Sequence, residues 1–126
     1  MSYRTAWSRA VGLGSAKDGV EHWWQHRVSS VALIPLTIFG IPPLARAIGS
    51  SHEQVLATYQ NPWNALIMAL LVLVTFRHLQ QGLQAVIEDY VHQKMVRTGL
   101  ILANTWFCGL LGAAGVFAVA KIAFSA

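Results

Sequence analysis

The residues best suited to chemistry lie in one stretch, from Arg77 to Tyr90, where polar side chains interrupt a long apolar segment. An ionisable residue at mid-membrane depth is costly to bury and is by default a functional candidate. Arg77 and His78 stand side by side at that predicted depth, and Asp89 precedes Tyr90 at the end of the segment. We therefore expect the functional site in this stretch.

His78 has the surroundings of a haem ligand. On a helix, Gly82 and Ala85 follow it on the same face, because four and seven residues complete one and two turns. These small side chains leave a trough beside the imidazole through which a flat macrocycle could approach. An axial imidazole in apolar surroundings commonly holds a b-type haem. The alternative is a histidine that hydrogen-bonds another helix, and the pattern alone leaves both open.

A bis-histidine haem needs a second ligand, and the other histidines lie at different predicted depths. His22 and His26 precede the first apolar helix, His52 lies in a loop, and His92 follows the second helix. The sequence therefore predicts that the second ligand comes from another chain.

Two arginines are candidates for an anionic group. Arg77 points about 100° away from His78 around the helix, and a buried guanidinium needs an anionic partner. A haem propionate or a carboxylate of another subunit would serve. Arg27, at the start of the first apolar helix, could reach a propionate or a phospholipid, or it could simply flank the membrane.

Asp89 and Tyr90 lie about 17 Å from His78 along one helix. A phenol hydroxyl can donate a hydrogen bond to a quinone carbonyl, and a neighbouring carboxylate can orient it or relay a proton. The alternative is an interfacial tyrosine with a solvated acid.

The elements that position these residues are predicted from composition. Of 126 residues, 55% are hydrophobic and 11% are charged, against about 25% charged in soluble domains. Basic residues flank apolar segments, so the +4 charge indicates membrane topology and not nucleic acid. We predict an all-α integral membrane protein, a single membrane-anchor domain spanning 1–126, with a polar segment at 1–20 and three transmembrane helices at about 24–48, 62–92 and 97–123.

The third predicted helix carries few polar side chains. Asn104 predicts an interhelical hydrogen bond or a ligand contact, and Cys108 is interpreted as a packing residue. One surface of this helix carries only small residues, which permits another helix to approach closely. These residues are Gly109, Gly112, Ala113 and Gly115.

Counting lysine and arginine predicts the orientation. One side carries Arg4, Arg9, Lys17, Arg27, Lys94 and Arg97, and the other carries Arg46 and Lys121. The N-terminus is thus predicted cytoplasmic and the C-terminus on the opposite side. Because the first twenty residues hold no apolar signal region, we expect insertion into a bacterial inner membrane without processing.

The stretch RHLQQGLQAVIEDYV resembles the small hydrophobic membrane anchor of succinate dehydrogenase, respiratory complex II, of the kind that pairs with a separate cytochrome b subunit. The resemblance rests on His78, Gly82, Asp89 and Tyr90 at the family's spacing. The segment HWWQHRVSSVALIPL, which contains Arg27, also resembles the opening of that family's first helix.

The resemblance implies a role for each matched residue. His78 would be one axial ligand of haem b, beside Gly82, with the other ligand supplied by the cytochrome b subunit. Tyr90 would hydrogen-bond ubiquinone, Asp89 would support that site, and Arg27 would lie near the propionates or the quinone. Arg77 and Glu88 receive no role.

The resemblance also implies partners. A flavoprotein subunit would oxidise succinate, and an iron–sulfur subunit would carry electrons to the membrane. This chain has neither a flavin motif nor cluster cysteines, so it would not be catalytic alone. The alternatives are the anchor of a fumarate reductase and a haem-free structural subunit. A small transporter is disfavoured, because the first and third helices offer almost no polar pathway.

Overall fold

A computed structural model describes Thr5, Trp7 and residues 18–125, so most of the predicted polar segment 1–20 lies outside the described residues. Residues 18–125 form four helices and no strand: α1 (Asp18–Ala47), α2 (His52–Gln60), α3 (Pro62–Tyr90) and α4 (Lys94–Ala123). Three apolar stretches are long enough to cross a membrane: Trp23–Ala47, Pro62–Tyr90 and Lys94–Ala123. The predicted all-α class with three spans is thereby confirmed.

Helix α1 begins before the predicted start at about 24 and ends at Ala47, close to the predicted end. It begins at Asp18, so His26 lies within the helix, and the expectation that His22 and His26 precede it is wrong. The stretch before Val28 contains no helix breaker after Gly19, so the helix continues beyond the apolar segment. It also continues through Pro42 and Pro43.

The connections between the helices are short and capped. Gly49 has φ 81°, in the left-handed region that commonly ends a helix. Ser51 caps α2 with a reciprocal capping box. Asn61 caps α3, whose first turn contains Pro62, as expected from the fixed φ of proline. Burial raises the pKa of Tyr59, at the end of α2, above its ordinary value.

Helix α3 is central and is packed on two sides by glycines of its neighbours. A Cβ on Gly40 of α1 would come within 2.8 Å of Leu71 Cδ2. On α4, a Cβ on Gly115 would come within 2.7 Å of Val72 Cγ1, and one on Gly112 within 3.2 Å of Phe76 Cβ. These approaches bring backbones close together, as small residues do in membrane bundles.

Apolar side chains cover the outside of the bundle, and several polar ones lie inside. Trp106, Phe107 and Phe117 are exposed, which suits contact with lipid or with other membrane helices. Among the described residues, the buried polar ones are Ser29, Gln80, Gln81 and Asn104. Since a buried polar group is costly unless it is hydrogen-bonded, these four residues point to the polar site.

Candidate functional site

Ser29 of α1 forms the centre of a polar cluster against α3. Its hydroxyl donates to the backbone carbonyl of His26, with an Oγ–O distance of 2.8 Å. The same Oγ lies 2.9 Å from Nδ1 of His78 and 3.2 Å from Oε1 of Gln81. Both Ser29 and Gln81 are buried. The cluster therefore joins α1 to α3 at the residue predicted to carry the chemistry.

This arrangement suits one tautomer of His78. A serine hydroxyl has one proton to donate and lone pairs that accept. With the Ser29 proton directed to the His26 carbonyl, Nδ1 of His78 is the donor and Nε2 keeps its lone pair. Within the described residues, Nε2 has no hydrogen-bond partner. A neutral imidazole with one nitrogen bound in this way is the usual form of a histidine metal ligand.

A second histidine lies at the level of His78, against expectation. The ring of His26 is 4.4 Å from the ring of His78, centroid to centroid, at an interplanar angle of 30°. The antiparallel course of α1 and α3 brings these rings together. Two histidines that bind one haem iron need the iron between their rings. Two rings in contact are too close for that geometry, so His26 in this position is a neighbour of the candidate ligand.

The predicted trough over Gly82 faces that same neighbour. A Cβ on Gly82 would lie 4.0 Å from Nε2 of His26, which is ordinary contact distance. Ser29 is six residues into the span Trp23–Ala47. His78 itself lies near the middle of its own span, Pro62–Tyr90.

Arg77 begins a chain of side-chain hydrogen bonds along α3. It donates to Oε1 of Gln80 and, at 3.3 Å, to Oε1 of Gln25 on α1. Gln80 donates to Gln84 at 3.0 Å, and Gln84 donates to Glu88 at 2.9 Å. The family resemblance gives no role to Arg77 or Glu88, and the glutamines were not among the predicted site residues. These four side chains of α3 follow one another at intervals of three to four residues, and that spacing in the sequence indicates neighbours on one face of a helix.

Asn104 links α4 to the same region. Its Nδ2 donates to the backbone carbonyl of Gln80 at 2.8 Å, and its Oδ1 accepts from Cys108 Sγ at 3.4 Å. The predicted interhelical hydrogen bond is confirmed, and Cys108 is buried as expected of a packing residue.

Two grooves flank Arg77. One, between α1 and α3, has a volume of about 570 Å³ and is bordered by Trp24, Gln25, Ser29 and Gln81. The other, between α3 and α4, has a volume of about 270 Å³ and is lined mainly by apolar and small residues. Arg77 forms no ion pair with any described residue.

The other predicted site residues lie apart from His78. Arg27 is exposed, with its guanidinium 4.7 Å from the centroid of the Trp23 ring. Asp89 and Tyr90 are exposed at the end of α3, and 79% of the Tyr90 surface is accessible. Among the described residues, no group of three His, Cys, Asp or Glu side chains is placed to hold a metal ion.

The fold and the polar cluster define a multi-pass helical membrane protein with polar residues at its helix contacts. The family described as succinate dehydrogenase/fumarate reductase transmembrane subunit matches residues 1–118. A succinate dehydrogenase hydrophobic membrane anchor subunit of Paracoccus denitrificans is 41% identical over 126 residues, which cover 100% of this chain and 97% of the relative. The Rickettsia bellii protein of that name is 27% identical, over 93% of this chain and 94% of its own length. No solved structure matches the chain.

The chain therefore belongs to the family of succinate dehydrogenase/fumarate reductase transmembrane subunits. It is a membrane anchor subunit, a multi-pass protein of the bacterial inner membrane that works in a complex with other subunits. The resemblance inferred from the residues is confirmed at this level.

Proposed function

We propose that this chain anchors a succinate:quinone oxidoreductase and provides, through Nε2 of His78, one axial ligand of a haem b. One observation carries the proposal: Ser29 Oγ lies 2.9 Å from Nδ1 of His78. When Nδ1–H donates to that oxygen, Nε2 keeps its lone pair, as a metal ligand must. A haem would bring the porphyrin nitrogens as ligands of its iron, so a single histidine of this chain fits, and no cluster of three protein ligands is required.

Bound there, the haem would supply one-electron transfer at membrane depth. The residues of this chain would hold and surround it. His78 would ligate the iron, Gly82 would leave room beside the ligand, and Arg27 would lie near a propionate or near the quinone. The second axial ligand would come from a cytochrome b subunit, because His26 contacts the His78 ring and is not across from it.

The quinone would be reduced nearer the end of α3. The exposed Tyr90 phenol can donate a hydrogen bond to a ubiquinone carbonyl, and the Asp89 carboxylate beside it can orient that bond or relay a proton. A flavoprotein subunit would oxidise succinate and pass the electrons to an iron–sulfur subunit. That subunit would deliver them to the membrane. These partners are what the family resemblance implies, and the relatives are named only as anchor subunits of succinate dehydrogenase.

The test is the reduced-minus-oxidised absorption spectrum of the purified complex carrying His78→Ala. We expect loss of the b-type signal while the complex still assembles. His26→Ala is the matched control, because it removes an imidazole in contact with His78 and should leave haem in place. A b-type signal unchanged in His78→Ala would overturn the assignment.

A haem-free structural subunit is the second candidate, and one observation favours it. His78 already has a hydrogen-bond partner in Ser29 and a ring contact with His26, so packing alone could account for it. If the chain is a haem-free structural subunit, the wild-type complex should show no b-type signal from this site. A fumarate reductase anchor shares the family description and would differ in the favoured direction of catalysis, measured with quinone and quinol.

A further inference from the structure

The Ser29 hydroxyl lies where it can fix both the tautomer and the orientation of the candidate ligand. We propose that Ser29 is the positioning residue for His78: by accepting a hydrogen bond from Nδ1–H, it holds Nε2 as the iron-binding nitrogen. This inference rests on the proposed haem function and adds to it a residue of α1, outside the helix that carries the ligand.

Two neighbours of Ser29 offer acceptors for its hydroxyl proton. The His26 carbonyl at 2.8 Å and Oε1 of Gln81 at 3.2 Å can only accept. Either one can take the hydroxyl proton. The oxygen lone pairs that then remain can accept from Nδ1–H of His78, whose Nδ1 is 2.9 Å away.

Because Ser29 is buried, a water molecule cannot easily take the place of its hydroxyl beside Nδ1 of His78. The exposed fraction is 9% for Ser29 and 2% for Gln81, so the imidazole edge at Nδ1 faces protein. Without the hydroxyl, the neutral imidazole could place its proton on either nitrogen, and the Nε2–H form cannot bind a metal through Nε2. The bond also joins α1 to α3, which restrains the ring relative to both helices. Partners of this kind commonly orient a ligating histidine and raise its basicity.

Ser30 provides a matched control on the next residue. Its hydroxyl also donates to the His26 carbonyl, at 2.9 Å, but it does not hydrogen-bond His78. Ser30→Ala therefore also removes a hydroxyl oxygen from α1 and a hydrogen bond to the His26 carbonyl. A difference between Ser29→Ala and Ser30→Ala isolates the contact with the imidazole.

The experiment compares purified whole complexes that carry Ser29→Ala, Ser30→Ala or Ser29→Thr. The readouts are haem per assembled complex, haem loss over time in detergent, and the electron paramagnetic resonance spectrum of the oxidised haem. Ser29→Ala is expected to weaken haem retention by about tenfold or more and to shift the resonance. Ser30→Ala should behave as wild type, and Ser29→Thr should restore retention because it keeps a hydroxyl.

The variants separate a failure of the positioning role from a failure of the proposed function. If Ser29→Ala matches Ser30→Ala in haem retention and in spectrum, while His78→Ala loses haem, the positioning role fails and the ligand assignment stands. If His78→Ala keeps its haem, the proposed function itself fails. Should Ser29→Ala not assemble, the nearly isosteric pair Ser29→Val and Ser29→Thr gives the same comparison, and equal retention in both overturns the proposal.

Discussion

At the scale of single residues, His78 shows how two competing interpretations can both be correct. The sequence left open whether it ligates haem or hydrogen-bonds another helix. The contact with Ser29 uses Nδ1 and leaves Nε2 available, so an interhelical hydrogen bond and a metal bond are compatible. A histidine has two nitrogens with distinct roles, and sequence spacing reports neither.

Tyr90 provides the residue-scale prediction for the quinone site. We expect Tyr90→Phe to lower quinone reductase activity about tenfold or more, because a hydrogen bond to the developing charge on the quinone oxygen is lost. Succinate oxidation with an artificial dye should be unchanged, since that reaction does not need the membrane site. Steady-state rates with both acceptors on the same preparation measure the difference.

Tyr59→Phe is the control for that experiment. It makes the same chemical change on α2, and the Tyr59 hydroxyl is buried without a hydrogen-bond partner among the described residues. Both activities should therefore remain at the wild-type level in Tyr59→Phe. Wild-type quinone activity in Tyr90→Phe would remove Tyr90 from the site.

At the scale of elements, close packing against α3 depends on particular glycines of α4. Gly115→Ala would bring a methyl group within 2.7 Å of Val72 Cγ1, and a β-branched side chain cannot easily rotate away. We expect a loss of stability of about 1–3 kcal/mol. Thermal unfolding of the purified complex, followed by loss of assembled subunits, measures it.

Gly109→Ala is the matched control on the same helix, because nothing lies within 4 Å of a Cβ at Gly109. That substitution should be neutral or slightly stabilising, as alanine favours helix over glycine. Equal destabilisation by both substitutions would show that the contact with Val72 does not limit packing.

The helices were predictable because long apolar runs signal them directly. Their contacts were less so. The small residues of α4 were identified together, but only an arrangement in space separates Gly115, which contacts Val72, from Gly109, which does not. Likewise, the contact between His26 and His78 depends on the antiparallel register of α1 and α3. The polar start of α1 lacks the apolar signal from which such a register could be inferred.

At the scale of the whole molecule, the two uncovered sides of α3 differ in chemistry. One side, the polar face, consists of Arg77, Gln84 and Glu88, joined through Gln80. The opposite side consists of Leu79, Leu83 and Val86, which are exposed. Lipid suits the apolar side, whereas charged and amide groups within a membrane are normally covered by protein. The chain works in a complex, so we expect the polar face to contact another subunit.

The final prediction tests that orientation with a photo-crosslinking amino acid. Placed at Gln84, it should give a protein–protein adduct within the assembled complex. Placed at Val86, on the opposite side and at similar depth, it should give lipid adducts. Arg77→Leu should also reduce assembly, because a partner carboxylate left unpaired in the interior costs about 3–5 kcal/mol. Adducts with lipid at both positions, together with full assembly of Arg77→Leu, would place the polar face away from any subunit. The Arg77 charge would then have to be balanced at the membrane surface, by lipid phosphate or water, which its flexible side chain can approach.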